Sequence, residues 1–405
     1  MLTRRTALAG AAALTAAGGI RPVRAQGDTT IRIGVLNDES GVYRDVGGPG
    51  SVACVKQAVA EYASQNGVNV EVRVADQQNK PDVAVGIARQ WFAEGVDVIT
   101  DIQGSAIALG LQSVVKNADK VMLACNVGTS DLTGKACSPN TIHFAYDTYM
   151  VGSATGSAVV KQGGDTWFFI RADYAFGKSL QSDTTGVIER NGGKVVGSIA
   201  VPFPNTDFSG ALIAAQSSGA KIIGLAEAGT DLVNCLKQAA EFGITKRGQK
   251  LAALLLFIND VHAIGLSAVQ GLVLSNTFYW DLNDRTRKFT ARVREAIGAP
   301  PNMSQAANYT AVLHYLKAVK AIGVPAAKQS GLAAIKWMKA NKIEDDAYGE
   351  ATIRPDGLTV SPGYLCEVKS PEQSKHPWDY YKVLATIPVA DAWRPLNAGG
   401  CPLVT

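Results

Sequence analysis

The stretch from Ile31 to Val59, IRIGVLNDESGVYRDVGGPGSVACVKQAV, decides how the rest of the chain is read. It opens on Ile31 to Leu36, a short apolar run with no alternation, which marks a strand covered on both faces. It closes on an amphipathic helical run from Gly50 to Ser64, a few residues further on. Between strand and helix stands a loop from Asn37 to Gly47. Within it and after it, Gly48-Pro49-Gly50-Ser51-Val52-Ala53 matches G-x-G-x-x-A, and Asp76 closes the next strand as a ribose-binding acid would. A dinucleotide site needs its glycines to turn directly from strand to helix, so that backbone amides meet the pyrophosphate. Eleven residues intervene here, so the motif reads poorly as a nucleotide site and well as a long loop lining a cleft.

The same strand-then-helix rhythm continues outward. Strands read at Val68 to Ala75, Val96 to Thr100 and Val121 to Ala124 alternate with helices from Pro81 to Glu94 and Ala106 to Lys116, which implies a parallel sheet with helices on both faces. After Tyr146-Asp147-Thr148-Tyr149 the rhythm restarts, with strands at 166–170, 195–200, 221–225, 251–257 and 271–275. Helices follow without strands over 284–297, 305–322 and 331–340. Short antiparallel strands then end the chain, around a hairpin turn at Asp356-Gly357. The expected fold class is α/β, with two doubly wound parallel-sheet lobes. The orphan helices are expected to return to the first lobe and the last strands to complete the second, giving a hinge of about three crossings with one dominant opening motion.

Of the 405 residues, 18% are charged and 47% are hydrophobic, which excludes a disordered chain. The formal charge of +4 comes from Arg4, Arg5, Arg21 and Arg24; beyond them 35 basic residues face 35 acidic ones. These arginines belong to an expected export signal over 1–25: a positive start, an apolar run from Ala7 to Ile20, and the cleavage pattern Val23-Arg24-Ala25. The run is too short and too rich in Ala and Gly for a membrane anchor, which needs about 20 strongly apolar residues. Arg4-Arg5 suits twin-arginine export, and the Sec route remains open. A nucleic-acid partner is not expected. In an oxidising compartment Cys125 with Cys137, or Cys366 with Cys401, could close staples, although six cysteines permit many pairings. Cys54 and Cys235 read as buried free thiols.

No nucleophile elbow, phosphate loop or H-E-x-x-H occurs, and the histidines at 143, 262, 314 and 376 are scattered, so neither catalysis nor a metal or cofactor is expected. In open α/β sheets, ligands bind beyond the carboxyl ends of the strands. The residues found there form a candidate rim of polar and aromatic groups: Tyr43, Ser105, Asn126, Gly128 and Thr129 from the first lobe, and Arg171, Tyr174 and Glu227 from the second, with Tyr279 on the crossing segment. Each has a plainer reading as a helix cap or loop residue.

In order and spacing, several segments resemble the periplasmic substrate-binding proteins of the branched-chain amino acid type that serve ABC transporters. They are the opening stretch, VDVITDIQGSAIALGLQ at 96–112, VMLACNVGTSDLTG at 121–134, TWFFIRADYAFGKSL at 166–180 and IIGLAEAGTDLVNCLKQA at 222–239. The resemblance implies a type I periplasmic binding fold with a three-crossing hinge, closure of the lobes around one small ligand, docking on a membrane permease, and no catalysis. It matches Ser105 to the carboxylate-binding hydroxyl, Asn126 and Gly128 to a backbone carbonyl and a threonine hydroxyl, Tyr174 to an aromatic wall, and Glu227 to the acid that pairs with a ligand ammonium. Gly128 lacks the hydroxyl, with Thr129 adjacent as a substitute. DESGVYRDVGGPGSV at 38–52 and Tyr279-Trp280 look more like binders of aromatic acids, and Arg171 could face a carboxylate.

The expectation is therefore a monomeric periplasmic receptor for an amino acid or aromatic acid, with residues 26–147 and 278–350 in lobe 1 and 148–277 and 351–405 in lobe 2. A secreted NAD(P)-dependent oxidoreductase and a ligand-sensing module of a signalling receptor are the alternatives.

Overall fold

The computed structural model describes residues 29–404, so the expected export signal over 1–25 lies outside the described residues. The first half of the chain builds β1 (Thr30–Asn37), α1 (Gly48–Tyr62), β2 (Asn69–Asp76), α2 (Pro81–Ala93), β3 (Val98–Gln103), α3 (Ser105–Asn117), β4 (Val121–Asn126) and β5 (Thr141–His143). The strands form one parallel sheet in the order β2-β1-β3-β4-β5. Ile31, Ile33 and Val35 of β1 face one core beside Cys54, Val55 and Ala58 of α1. Leu36 turns to the opposite core, under Ala84, Ala88 and Trp91 of α2 and Ile107 and Leu111 of α3. Burial on both faces is why β1 reads as an unbroken apolar run.

A second unit follows: α4 (Thr148–Lys161), β6 (Thr166–Ala172), α5 (Ala175–Arg190), β7 (Lys194–Val201), α6 (Ser209–Ser217), β8 (Ile222–Ala226), α7 (Gly229–Glu241), β9 (Lys250–Ala253), α8 (Ile258–Ile264), α9 (Leu266–Val269) and β10 (Val273–Asn276). Its parallel sheet has the order β7-β6-β8-β9. The fifth expected strand, β10, does not join it. A cleft beside these two strands is lined by Leu251, Ala252, Leu272 and Val273, and β10 pairs antiparallel with a strand from the chain's end.

The remainder comprises α10 (Asp284–Ile297), α11 (Met303–Ile322), α12 (Val324–Gln329), α13 (Gly331–Ala340), β11 (Ile343–Asp345), β12 (Gly349–Ile353), β13 (Thr359–Val360), β14 (Gly363–Val368), β15 (Tyr381–Ile387) and α14 (Val389–Ala392). Helix α11 is buried on nearly every side, as a helix without a polar face must be; it packs on α1 and α13 and reaches β3 and β4. The small β11-β12-β13 sheet touches α13, and Leu358 bridges His143 of β5. Residues through Val360 thus sit with the first sheet, ten further than the boundary expected at 350. From β14 onward the strands pair with β10. The chain passes between the two parallel sheets at 144–147, 277–283 and 361–362.

The expected staples do not form. Cys125 and Cys366 lie on β4 and β14 as buried free thiols, and the disulfide joins Cys137 to Cys401 across 264 residues of sequence. Strand cysteines facing a core cannot reach a surface partner. The C-terminal tail can, because it leaves the second lobe and returns to the loop after β4. There Arg394 Nη2 donates to the Ser130 carbonyl at 3.0 Å. Cys54 and Cys235 are buried free thiols, as read from the sequence.

Candidate ligand-binding site

The carboxyl ends of the two parallel sheets face each other across a small, partly open cavity. The first lobe lines it with Tyr43 and Val46 from the loop after β1, Gly104 and Ser105 after β3, Asn126 and Gly128 after β4, and Tyr146 from the first crossing. The second lobe supplies Tyr174 and Phe176 after β6, Ala228 after β8, and Leu255 and Phe257 after β9.

The polar end of the cavity is at the start of α3. Gly104 has φ +104°, a backbone conformation that favours glycine, and the chain turns there so that Ser105 opens the helix. The first amides of a helix lack intrahelical acceptors and carry a positive partial charge. No acidic residue stands in the first turn of α3 to satisfy them. Ser105 Oγ accepts from Thr129 N at 3.1 Å, which leaves the hydroxyl proton free for a ligand. Asn126 Oδ1 accepts from Tyr146 Oη and Ser304 Oγ, both at 3.3 Å. Its buried Nδ2 has no hydrogen-bond partner.

This end is held under backbone strain. Asp101 and Ile102, just before Gly104, have φ +71° and +54°, and a β-branched residue in that region is a genuine outlier. Asn308 of α11 holds the turn: its Nδ2 donates to Asp101 Oδ1 at 2.9 Å, and its Oδ1 accepts from Thr100 Oγ1 at 2.9 Å. Burial pushes the Asp101 carboxyl up to about 7, against the stabilising bonds from Asn308 and Ser51. On the neighbouring strand end, His143 Nε2 donates to the Val127 carbonyl at 2.6 Å. Burial lowers that histidine to about 4, so it is neutral with its proton on Nε2.

The second lobe closes the cavity with rings. Tyr43 Oη and Tyr174 Oη hydrogen-bond to each other across the lobes, and Phe203 packs on both, at 5.5 and 4.7 Å between centroids. Burial raises both phenols, so both keep their protons. Beside them the Phe176 ring fills the space next to Gly128: a Cβ on Gly128 would come within 2.6 and 2.8 Å of ring carbons. Two further contacts join the lobes here: Thr129 Oγ1 donates to Ser179 Oγ at 3.2 Å, and Ser130 N donates to Thr148 Oγ1 at 3.1 Å.

Of the residues singled out from the sequence, Tyr43, Ser105, Asn126, Gly128 and Tyr174 line this cavity and four do not. Thr129 caps the turn at 130–133, accepting from Asp131 N at 3.3 Å. Arg171 donates to Asp173 at 3.2 Å. Tyr279 lines a separate cavity of about 190 Å³ with Trp280, Asn302 and Tyr381. Glu227 is fully buried and neither carboxyl oxygen has a hydrogen-bond partner. Burial raises its carboxyl to about 9, reinforced by Asp231 and opposed by Arg171, so it is protonated at neutral pH. Sequence reasoning missed Val46, Tyr146, Phe176, Ala228, Leu255 and Phe257. Only Tyr146, at the place where the rhythm restarts, gave any signal. The glycines of the G-x-G-x-x-A motif serve packing: the Gln305 side chain lies where a Cβ on Gly50 would sit.

Residues 30–375 match the family model described as periplasmic binding protein. A periplasmic binding protein from Burkholderia mallei is 45% identical to this chain and superposes with a TM-score of 0.89, over 94% of this chain and 100% of that one. A branched chain amino acid ABC transporter periplasmic ligand-binding protein from Burkholderia xenovorans LB400 is 37% identical, with a TM-score of 0.80, over 92% and 99% of the two chains. A solute binding protein of an ABC transporter from R. palustris, solved in complex with benzoate, shares the fold at 21% identity, with a TM-score of 0.78, over 88% and 96%.

Proposed function

The chain belongs to the periplasmic binding protein family, and from that premise we propose that it is the extracytoplasmic receptor of an ABC importer. It closes its two lobes on a small carboxylate-bearing ligand, an amino acid or an aromatic acid, and delivers it to the membrane permease. One observation carries this reading: the cavity between the sheets takes its lining from both lobes and has the start of α3, with Ser105 and the unpartnered Asn126 amide and no acid in the first turn, at one end. A helix start with a serine hydroxyl is an anion site.

The working cycle follows from the same geometry. Open and closed forms exchange about the three crossings, and a ligand favours the closed form by as much as it binds that form better. A carboxylate held at Ser105 by the first lobe, and a body packed on Tyr174 and Phe176 of the second, gains its full contacts only on closure. The permease then distinguishes loaded from empty receptor by the closed shape. The export signal expected over 1–25 would take the chain to the periplasm, where it works as a single chain.

A thermal-shift screen with amino acids and aromatic acids tests the proposal, because a ligand that binds only the folded state raises the melting temperature. Stabilisation by at least one carboxylate is expected, together with release of a small acid on denaturing the purified protein. Stabilisation by sugars or cations alone would defeat it.

A further inference from the structure

We infer that the cavity selects a flat ring carboxylate over an α-amino acid, and that Phe176, seated against Gly128, is the residue that makes the selection. This rests on the proposed receptor function and narrows its ligand.

The chemistry of the lining is one-sided. Ser105, Asn126 and the first amides of α3 offer donors at one end, and no carboxylate lines the cavity. An ammonium group drawn in beside an α-carboxylate would give up its water without meeting an ionised acid, which is strongly unfavourable. Glu227 does not supply one. It lies outside the lining although its neighbour Ala228 belongs to it, and burial keeps it protonated.

The shape points the same way. A Cβ on Gly128 would lie 2.6 Å from the Phe176 ring, so the ring leaves no space there for even a methyl group. Phe176 leans on Tyr174 at 5.9 Å, and Tyr146 meets Phe257 edge-on at 5.9 Å. All four line the cavity, so an occupant anchored by its carboxylate at Ser105 is bounded by aromatic rings. Ring against ring is favoured over ring against branched aliphatic in such a setting.

Calorimetric titration of the full chain with benzoate, cyclohexanecarboxylate, L-leucine and glycine betaine tests this. Benzoate is expected to bind about tenfold tighter than its saturated analogue, with no measurable heat from the other two. In Phe176→Leu the preference for benzoate over cyclohexanecarboxylate should fall to about twofold or less; Phe176→Met, closer in volume, gives the same readout should the leucine variant not fold. Gly128→Ala should weaken both ring acids by displacing the Phe176 ring. Tighter binding of L-leucine or glycine betaine than of benzoate overturns the inference and leaves the receptor reading standing. Unchanged preference in both Phe176 variants removes that residue as the selector. Failure of every carboxylate in both this titration and the thermal-shift screen overturns the receptor reading itself.

Discussion

Two strand-to-helix turns meet across the cleft, and they use the same backbone feature for different ends. In the first lobe β3 runs into α3 through Gly104 and Ser105, with no acid in the first helical turn. In the second, β8 runs into α7 through Glu227-Ala228-Gly229, with Asp231 in the first turn. A helix start attracts negative charge. At α7 the chain supplies that charge itself, and Thr230 N donates to the Val42 carbonyl of the opposite lobe at 3.2 Å. Gly229 has φ +61°, and a Cβ there would lie 2.6 Å from the same carbonyl, so the close approach of the two lobes requires glycine. One helix start thus faces the cavity with no acid of its own, while the other grips the facing loop. The asymmetry shows how similar architecture in the two lobes gives two chemically different helix starts.

Placing a charge at the free helix start breaks the contrast most directly. Ser105→Asp gives α3 the acid that it lacks, and a ligand carboxylate would then face a like charge instead of a hydroxyl. Loss of at least about 100-fold in benzoate affinity is expected, roughly 3 kcal/mol from the lost charge-assisted bond and the added repulsion. The melting temperature should hold, because an acid in the first turn suits the helix. Calorimetry on the variant checks this, and undiminished binding would move the anion site away from α3.

The acid before the other helix start leaves a different mark. Glu227 titrates near 9 in the folded protein, against an ordinary 4.5. A raised folded value means that its stabilising effect is complete below pH 4.5 and is lost as pH climbs toward 9. Between pH 5 and 8 the parent protein should therefore lose on the order of 4 kcal/mol more stability than Glu227→Gln. Denaturant melts at the two pH values measure this, and parallel losses would mean that Glu227 is ionised in the fold.

Much of this contrast was legible in the sequence. Apolar runs alternating with helical ones gave both sheets, and the strand-end rule gave Ser105, Asn126, Tyr43 and Tyr174. The remainder depends on long-range contact. Phe176 and Phe257 look like ordinary helix and strand-end residues until closure turns them onto Gly128 and Tyr146. β5 has only three residues, too few for a periodic signal. Cys137 finds Cys401 only because the tail folds back across the hinge, whereas pairing by proximity in sequence favoured Cys125 and Cys366. The resemblance made Glu227 the acid that pairs with a ligand ammonium, but its protonation follows from burial that no sequence pattern displays.

A milder change at the free helix start separates the hydroxyl from the helix itself. Ser105→Ala keeps the amides and removes one donor, so affinity for benzoate should fall about tenfold, a net hydrogen bond to a charged group being worth about 1.5 kcal/mol or more. If the alanine variant binds as the parent does, the amides and Asn126 hold the carboxylate without the serine.

The smallest expected effect tests the lobe contact instead of the ligand contact. Tyr43→Phe deletes the hydroxyl that meets Tyr174 across the cleft and keeps the ring stacked on Phe203. Contacts made only in the closed form set how far closure is favoured before any ligand arrives. The Thr230 to Val42 and Ser130 to Thr148 bonds remain, so losing one hydrogen bond, about 0.7 kcal/mol net, should weaken ligand binding about threefold. The loss should fall equally on benzoate and cyclohexanecarboxylate, because the lobe equilibrium multiplies every affinity by the same factor. A loss confined to one ligand would instead place the Tyr43 hydroxyl in direct contact with it, making this tyrosine part of the recognition surface and not of the latch.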